Sequence, residues 1–471
     1  MDIIQKALRE IYQAHPYLTP LLATFEQHGY HAYLVGGAVR DMLLQRPILD
    51  IDIEVHGCTF EQLSDILQNY GYVDLCGQSF GVIKVHGLDV DWTLPRKDSA
   101  GRKPLVEYNP HMPIDEALMR RDLTMNAMAI DLHNQHLVDP YNGQEDIAQL
   151  RLRTPDATFF VQDPLRFFRV MQFIGRFNMY PDEQLNNICK QMVIKDLSRE
   201  RIEQEFKKML LYSAEPSRGI RWLRAIGRLD DILPELAATI GIEQDPYWHP
   251  EGDVFEHSMQ AVDAAAQLAI PDEQNRLVIL YAALCHDLGK VSTTFADERG
   301  IHSYGHAEVG SKLARTMLAR ITHHKDLIDR VCTLVHHHMQ PVQLVAQNSS
   351  AAAYKRLAHK LWPTLDINML ALLAQADARG RNPVGNKPFT GPTPAIDTFL
   401  ERAQAASVRY APETPMLTGK DFLDVITPGP LISEAVHIAY NLQLEGIRDP
   451  QELKVQTLNQ LQQKIKNSEP H

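Results

Sequence analysis

Long apolar runs are missing from this chain of 471 residues. No stretch approaches the roughly 18 consecutive apolar residues that a spanning helix needs. The opening MDIIQKALRE lacks the cationic and then apolar layout of a secretory signal, so the expectation is cytoplasmic residence with no membrane contact. Cysteine is scarce: Cys58, Cys76, Cys189, Cys285 and Cys332 are odd in number, scattered, and contain no CxxC pair. That excludes a disulfide framework and a zinc ribbon and leaves reduced, mostly buried thiols. Internal repeats and low-complexity tracts are absent as well. A general basic excess is also lacking, since the net charge is −12, which argues against an overall nucleic-acid coat. From Arg151 to Arg228, however, fifteen Lys and Arg face nine Asp and Glu, a local excess of +6. Such a segment suits a polyanion held in one place, and equally a solvated helical surface.

What is present, 44% apolar and 23% charged residues, is the composition of a folded protein with two to four domains. Residues 1–30 carry Ile3, Ile4, Ala7, Leu8 and Ile11 at helical spacing and read as a helical extension. Residues 31–150 change to short alternating runs. AYLV, DIDIEV, GVIKVHG, LDVDWTL and MNAMAIDL read as strands, with helices at Val39 to Gln45 and Phe60 to Tyr70. Helical periodicity then dominates, with breaks at EQDPYWHPEGD and GRNPVGNKPFTGPTP. The expected fold class is α+β: a small mixed-sheet head, an all-α body over 151–242, a further helical domain over 243–395 and a helical tail over 396–471.

Two groups of residues carry chemistry. In a strand, Asp50, Asp52 and Glu54 share one face while Ile51, Ile53 and Val55 face a core. Adjacent carboxylates repel unless a cation lies between them, and such oxygen donors suit magnesium. Asp89 and Asp91 on a neighbouring strand offer a third ligand. An isolated DxD is also what a solvent-facing strand edge looks like. Gly36 and Gly37 end the preceding strand, and a helix start follows whose free N–H groups can hold phosphate, with Arg40 adding a charged fork. Together these supply the metal, phosphate and positioning functions of phosphoryl transfer.

LVGGAVRD, DIDIEV, RRDLTMNAMAID and DPLRFFRVMQFIGRF, in this order, resemble the bacterial class II tRNA nucleotidyltransferases, the CCA-adding enzymes of the DNA polymerase beta superfamily. The resemblance implies transfer of CMP and AMP from CTP and ATP to the 3′ end of tRNA. It puts Gly36, Gly37 and Arg40 on the triphosphate, makes Asp50 and Asp52 magnesium ligands with Asp91 as a third acid, and gives Arg121 and Asn126 the sugar and phosphates. Asp163 and Arg166 would read the base edge, one accepting and one donating hydrogen bonds. Arg169 would follow on the same helical face, at i, i+3 and i+6. Gln162 stands where the family has Glu. LSRERIEQEFKKML resembles the next helical motif, its charges cross-bracing helices.

Further on, His257, the pair His286-Asp287 in LCHDLGK, and Asp377 resemble the HD phosphohydrolases. Imidazole and carboxylate together bind a divalent metal that activates water, with nickel and magnesium both open. His306 and His337 fall where two-metal HD domains carry extra histidines, while His302, His323 and His324 read as surface residues. An HD domain beside such a head is similar to the multifunctional CCA proteins, where it accompanies phosphatase and 2′,3′-cyclic phosphodiesterase activity. Poly(A) polymerase shares the head motifs, and an HD phosphohydrolase with a nucleotide-sensing head is the other alternative. The charged stretch Thr93 to Asp115, with Gly101 and Pro104, is the candidate loop for switching between nucleotides. LTGKDFLDVITPGPLISEAV resembles the family's tail motif, with Ser433 as a packing position. A monomer and a homodimer are both compatible with the sequence.

Overall fold

The computed structural model describes residues 3–74, 82–98 and 106–468. Cys76, Gly101 and Pro104 lie outside the described residues. The chain forms two compact units, Met1–Met209 with Arg218–Arg228, and Leu210–Ser217 with Leu229–His471.

In the first unit the described strands build a seven-stranded sheet. They are β1 (His31–Val35), β2 (Asp52–His56), β3 (Val73–Asp74), β4 (Val82–Val85), β5 (Asp91–Thr93), β8 (Ala129–Asp131) and β9 (Leu137–Val138), ordered β3-β4-β5-β2-β1-β8-β9. A separate hairpin joins β6 (Arg96–Asp98) to β7 (Val106–Tyr108). The central β1 runs antiparallel to β2 and β8, whereas β2 and β5 are parallel and pair Asp52 with Asp91. In β2 the alternation seen in the sequence holds: Ile53 and Val55 are buried, while Asp52 and Glu54 are half-buried on the other face.

The first thirty residues hold two helices, Ile3–Ala14 and Leu18–Gln27. Ile4, Leu8 and Ile11 are buried as the spacing predicts, and the second helix sets Phe25 edge-on against Trp92 of β5, 5.8 Å between centroids. The helix after the glycines spans Gly37–Leu43. The helix Phe60–Leu67 is closed at its start by a Thr59–Gln62 capping box, and Gln68–Tyr70 tightens into a 3-10 turn. MNAMAIDL departs from the expected strand: Thr124–Asn126 is a 3-10 turn, and only Ala129–Asp131 joins the sheet. Side chains hold that turn, Thr124 on Asp146 at 2.6 Å and Asn126 on Asp122 at 2.9 Å, so its bonds do not go to a ladder.

Beyond the sheet, helix Leu165–Phe177 buries Phe167, Val170, Phe173, Ile174 and Phe177 as expected. In the second unit, helices Val254–Ala266, Glu273–Cys285, His306–Ile321, Lys325–His337 and Ile367–Arg379 form the core. The tail has its own small core of Leu417, Phe422, Ile426, Ala435, Ala439, Leu442, Leu453 and Leu461. Ser433 is exposed, so it does not serve the packing role expected of it.

Asp146 is fully buried and accepts from Thr124, from Arg151 at 2.5 Å and from Arg153 at 3.0 Å. Removing it strands two guanidiniums that keep 35% and 29% of their surface in water. Asp146→Ala is expected to destabilise the head by about 2 to 3 kcal/mol, below the range for a fully buried pair. Denaturant unfolding followed on the head's transition measures it.

Candidate active sites

The head site forms where β1 ends and β2 and β5 begin. Gly36 has φ +70°, and a Cβ there would stand 2.6 Å from Arg121 Nη1 and 3.8 Å from Asp52 Oδ2. Glycine is therefore required both for the left-handed backbone and for the space that Arg121 occupies. Asp52 and Asp91 face each other across neighbouring parallel strands, about 4.8 Å apart in backbone. Asp50 is exposed just before β2. Burial raises the Asp52 carboxyl above its ordinary value; Arg121 opposes this, and Asp91 and Asp50 add to it. Negative charge crowded in this way is what a magnesium ion would relieve. Lys84 holds Asp91 at 2.9 Å, an exposed pair that a cation or substrate can displace.

Three of the residues expected on the nucleotide are bonded into one brace instead. Arg169 donates to Asp122 at 2.5 Å, Asn126 donates to Asp122 at 2.9 Å, and Arg40 donates to Asn126 at 2.8 Å and to both oxygens of Asp41. Arg40 is itself buried over the Phe177 ring, 4.8 Å from its centroid. Burial would raise Asp122, but Arg169 and Asn126 more than offset it, holding the carboxyl down to about 2. Arg40 thus supports Asn126 in this structure.

Asp163 and Arg166, expected to read a base edge together, do not bond each other, and each holds protein groups in this structure. The helix starts at Leu165, so Asp163 precedes it and accepts from the Leu165 N–H at 3.1 Å. Asp163 takes both its oxygens to Arg201, at 3.3 and 3.2 Å, while Arg166 donates to the carbonyls of Phe159 and Arg120. The charged helix Arg199–Tyr212 therefore braces through Arg201, as its sequence suggests.

The second site is buried within the second unit. His257 Nε2 lies 3.1 Å from His286 Nε2 and from Asp377 Oδ1, and Asp287 Oδ2 lies 3.3 Å from His286 and 3.7 Å from His257. The other oxygen of Asp287 is 3.4 Å from His306 Nε2 and 3.8 Å from His338 Nε2, and these two nitrogens are 3.1 Å apart. Asp287 joins two donor groups. The inward neighbour is His338, not the expected His337, because the helix ends at His337 and the next residue turns its ring across to His306.

Second partners fix the tautomers. Nδ1 of His286, His306 and His338 bonds the carbonyls of Ala283, Ser303 and Val335, and Nδ1 of His257 bonds Glu251 at 2.7 Å. In the neutral rings every Nε2 then offers a lone pair inward, which suits a divalent metal. Lys290 donates to Asp287 at 2.7 Å and Arg381 to Asp377 at 2.8 Å. Burial would raise Asp287, but Lys290 and His286 hold it well below the carboxylate range.

Residues 32–153 match the poly A polymerase head domain, 184–240 the probable RNA and SrmB-binding site of polymerase A, and 254–375 the HD domain. The multifunctional CCA protein of Stenotrophomonas maltophilia is 36% identical over 74% of this chain and 86% of its own. That of Legionella pneumophila is 31% identical over 86% and 95%. This chain belongs to the multifunctional CCA protein family. The fold agrees with solved CCA-adding enzymes, that of Bacillus stearothermophilus in complex with CTP (22% identity, 95% and 98% of the chains, TM-score 0.64) and that of Thermotoga maritima with tRNA (20%, 93% of each, TM-score 0.56).

Two residues of the HD site escape sequence reasoning. His249 and Glu251 lie in the EQDPYWHPEGD break, where one Glu251 oxygen takes His249 at 2.9 Å and His257 at 2.7 Å. A His-x-Glu just ahead of a helix carrying a ligand was the available signal. Gly289 of LCHDLGK is needed for close approach: a Cβ would stand 2.0 Å from the His306 carbonyl oxygen. Gly289→Ala is expected to push His306 off Asp287 and lower the metal bound per chain relative to the unsubstituted protein, read by elemental analysis.

Burial would lower His257, but Asp377 and Glu251 push it up to about 9. Below that pH the ring carries a proton that competes with metal. Apparent metal affinity is therefore expected to rise with pH, roughly tenfold per unit between pH 7 and 9, measured by competition with a chelator.

Proposed function

We propose that the head adds CMP and AMP from CTP and ATP to the 3′ end of tRNA, and that the HD site hydrolyses phosphate esters at such ends. The observation that carries the first part is the Asp52–Asp91 strand pair beside Gly36 and Arg121, in a chain of this family. Asp50, Asp52 and Asp91 hold magnesium, which when bound acidifies the primer hydroxyl and steadies the departing pyrophosphate. Arg121, within 4.0 Å of Glu54 and over Gly36, takes the triphosphate together with the Gly36-Gly37 backbone. Arg40, Asn126 and Arg169 keep that pocket in shape through Asp122. Asp163 and Arg166 exchange their present partners, Arg201 and two carbonyls, for the edge of cytosine or adenine, so no nucleic-acid template is required.

In the HD site His257, His286, Asp287 and Asp377 hold one divalent ion, and His306 and His338 share Asp287 with a second. Four imidazoles favour a first-row transition metal such as nickel over magnesium. When bound, the metal supplies a Lewis acid and an acidified water. Lys290 and Arg381 hold Asp287 and Asp377 charged and in place.

The test is incubation of the purified chain with tRNA lacking CCA, labelled CTP and ATP, and magnesium. CTP alone should give CC, and both nucleotides CCA. Asp52→Ala should lower incorporation roughly a thousandfold, whereas Asp287→Asn should leave it intact. Homopolymer growth from ATP on any RNA would overturn the reading in favour of a poly(A) polymerase.

A further inference from the structure

Four exposed aromatic side chains, Tyr247, Trp248, Phe295 and Tyr304, stand on or next to the loop and hairpin that lead into the HD donors. Tyr247 is 81% exposed and Trp248 60%, and their rings meet edge-on at 4.9 Å. The next residue is His249, whose ring packs 4.7 Å from that of the donor His257. On the hairpin of Phe295–Asp297 and Gly300–His302, Phe295 is 46% exposed, and Tyr304 just beyond it is 66% exposed. His302 and Tyr304 stack at 5.3 Å with an interplanar angle of 9°. Two residues after Tyr304 comes the donor His306, whose Nδ1 bonds the Ser303 carbonyl at 2.7 Å. A Cβ at Gly300 would lie 3.4 Å from Asp245 Oδ2, so the hairpin and the Tyr247-Trp248 loop are neighbours.

Large rings left in water beside a buried metal-donor site form a recognition surface, because flat faces stack on bases whatever their identity. We propose that Tyr247, Trp248 and Tyr304 receive the base of a terminal nucleotide whose phosphate ester is presented to the HD donors. The inference rests on the phosphoesterase reading above and names its substrate: the 3′-terminal nucleotide of single-stranded RNA. Asp245 lies beside Gly300 of the hairpin, and Asp297 is paired with Arg299 and His302. The rings are continuous in chain with His249 and His306, which ties their occupant to the metal site rather than to a separate partner.

The experiment compares cytidine 2′,3′-cyclic phosphate with glycerol 1,2-cyclic phosphate, which has no base, on nickel-loaded wild type, Trp248→Ala and Tyr304→Ala. The ratio of kcat/KM for the two substrates is expected to fall about tenfold in each variant. Unchanged ratios overturn the proposal. In parallel, cytidine analogues carrying a photoreactive base and a 3′-phosphate are cross-linked to the whole chain, and the modified peptides are sequenced. Cross-links at 245–249 and 295–304 support the platform even where wild type hydrolyses neither substrate, a result that would overturn the phosphoesterase reading alone. Cross-links confined to other segments overturn the platform. So does a dimer that dissociates in both variants, which would make the rings a protein contact.

Discussion

The carboxylate of Asp287 organises the second unit's chemistry. One oxygen faces His257 and His286 and the other faces His306 and His338, so a single side chain sets the spacing between two donor groups. Its own position is fixed by Lys290 and by the helix end on which it sits. Four imidazoles with their Nδ1 atoms already bonded outward have nowhere to direct their inner nitrogens except toward each other. Two bare nitrogens 3.1 Å apart repel, so this arrangement demands positive charge between them, whether a proton or a metal. The close approach at Gly289 lets the His306 helix come near enough for one carboxylate to serve both groups.

The head follows a different principle. Its charged residues are mostly spent on one another: Asp122 gathers Arg169 and Asn126, and Asn126 in turn gathers Arg40. A pocket that must accept two different bases in turn needs walls that do not move when the occupant changes. Buried charged hydrogen bonds supply such walls at low dielectric, since breaking any of them leaves a charge unpaired. The groups left more loosely held, Arg121 and the Asp163–Arg201 pair, include those to which the proposal gives the substrate.

The sequence made much of this legible, and the reasons differ by element. The alternation in DIDIEV is a period-2 signal read directly as one acidic and one apolar face, and the structure keeps it from Ile51 to Val55. The His286-Asp287 pair was legible because adjacent donors at a helix end are chemically unusual. What spacing leaves open is which of several like residues faces inward. In HHHM, three histidines lie on consecutive positions at the helix end, and of these His338 turns its ring to His306. His249 and Glu251 were hidden because a Pro-rich break has no periodicity to show that it folds back over a helix. The MNAMAIDL segment misled because side-chain bonds from Thr124 and Asn126 outcompete its strand propensity.

The Arg and Asp partners were also beyond sequence reasoning, and they bear on specificity. Asp163 and Arg166 each hold protein groups in this structure, so in the base-reading role proposed above a base exchanges hydrogen bonds and does not simply add them. An exchange of this kind contributes little net affinity, because each lost bond offsets one gained. Under that role a mismatched base is penalised, since the partners have been given up and the polar groups of the site are left unsatisfied. Under that proposed role, discrimination between bases comes from the cost of the wrong occupant, with Arg201 competing for Asp163.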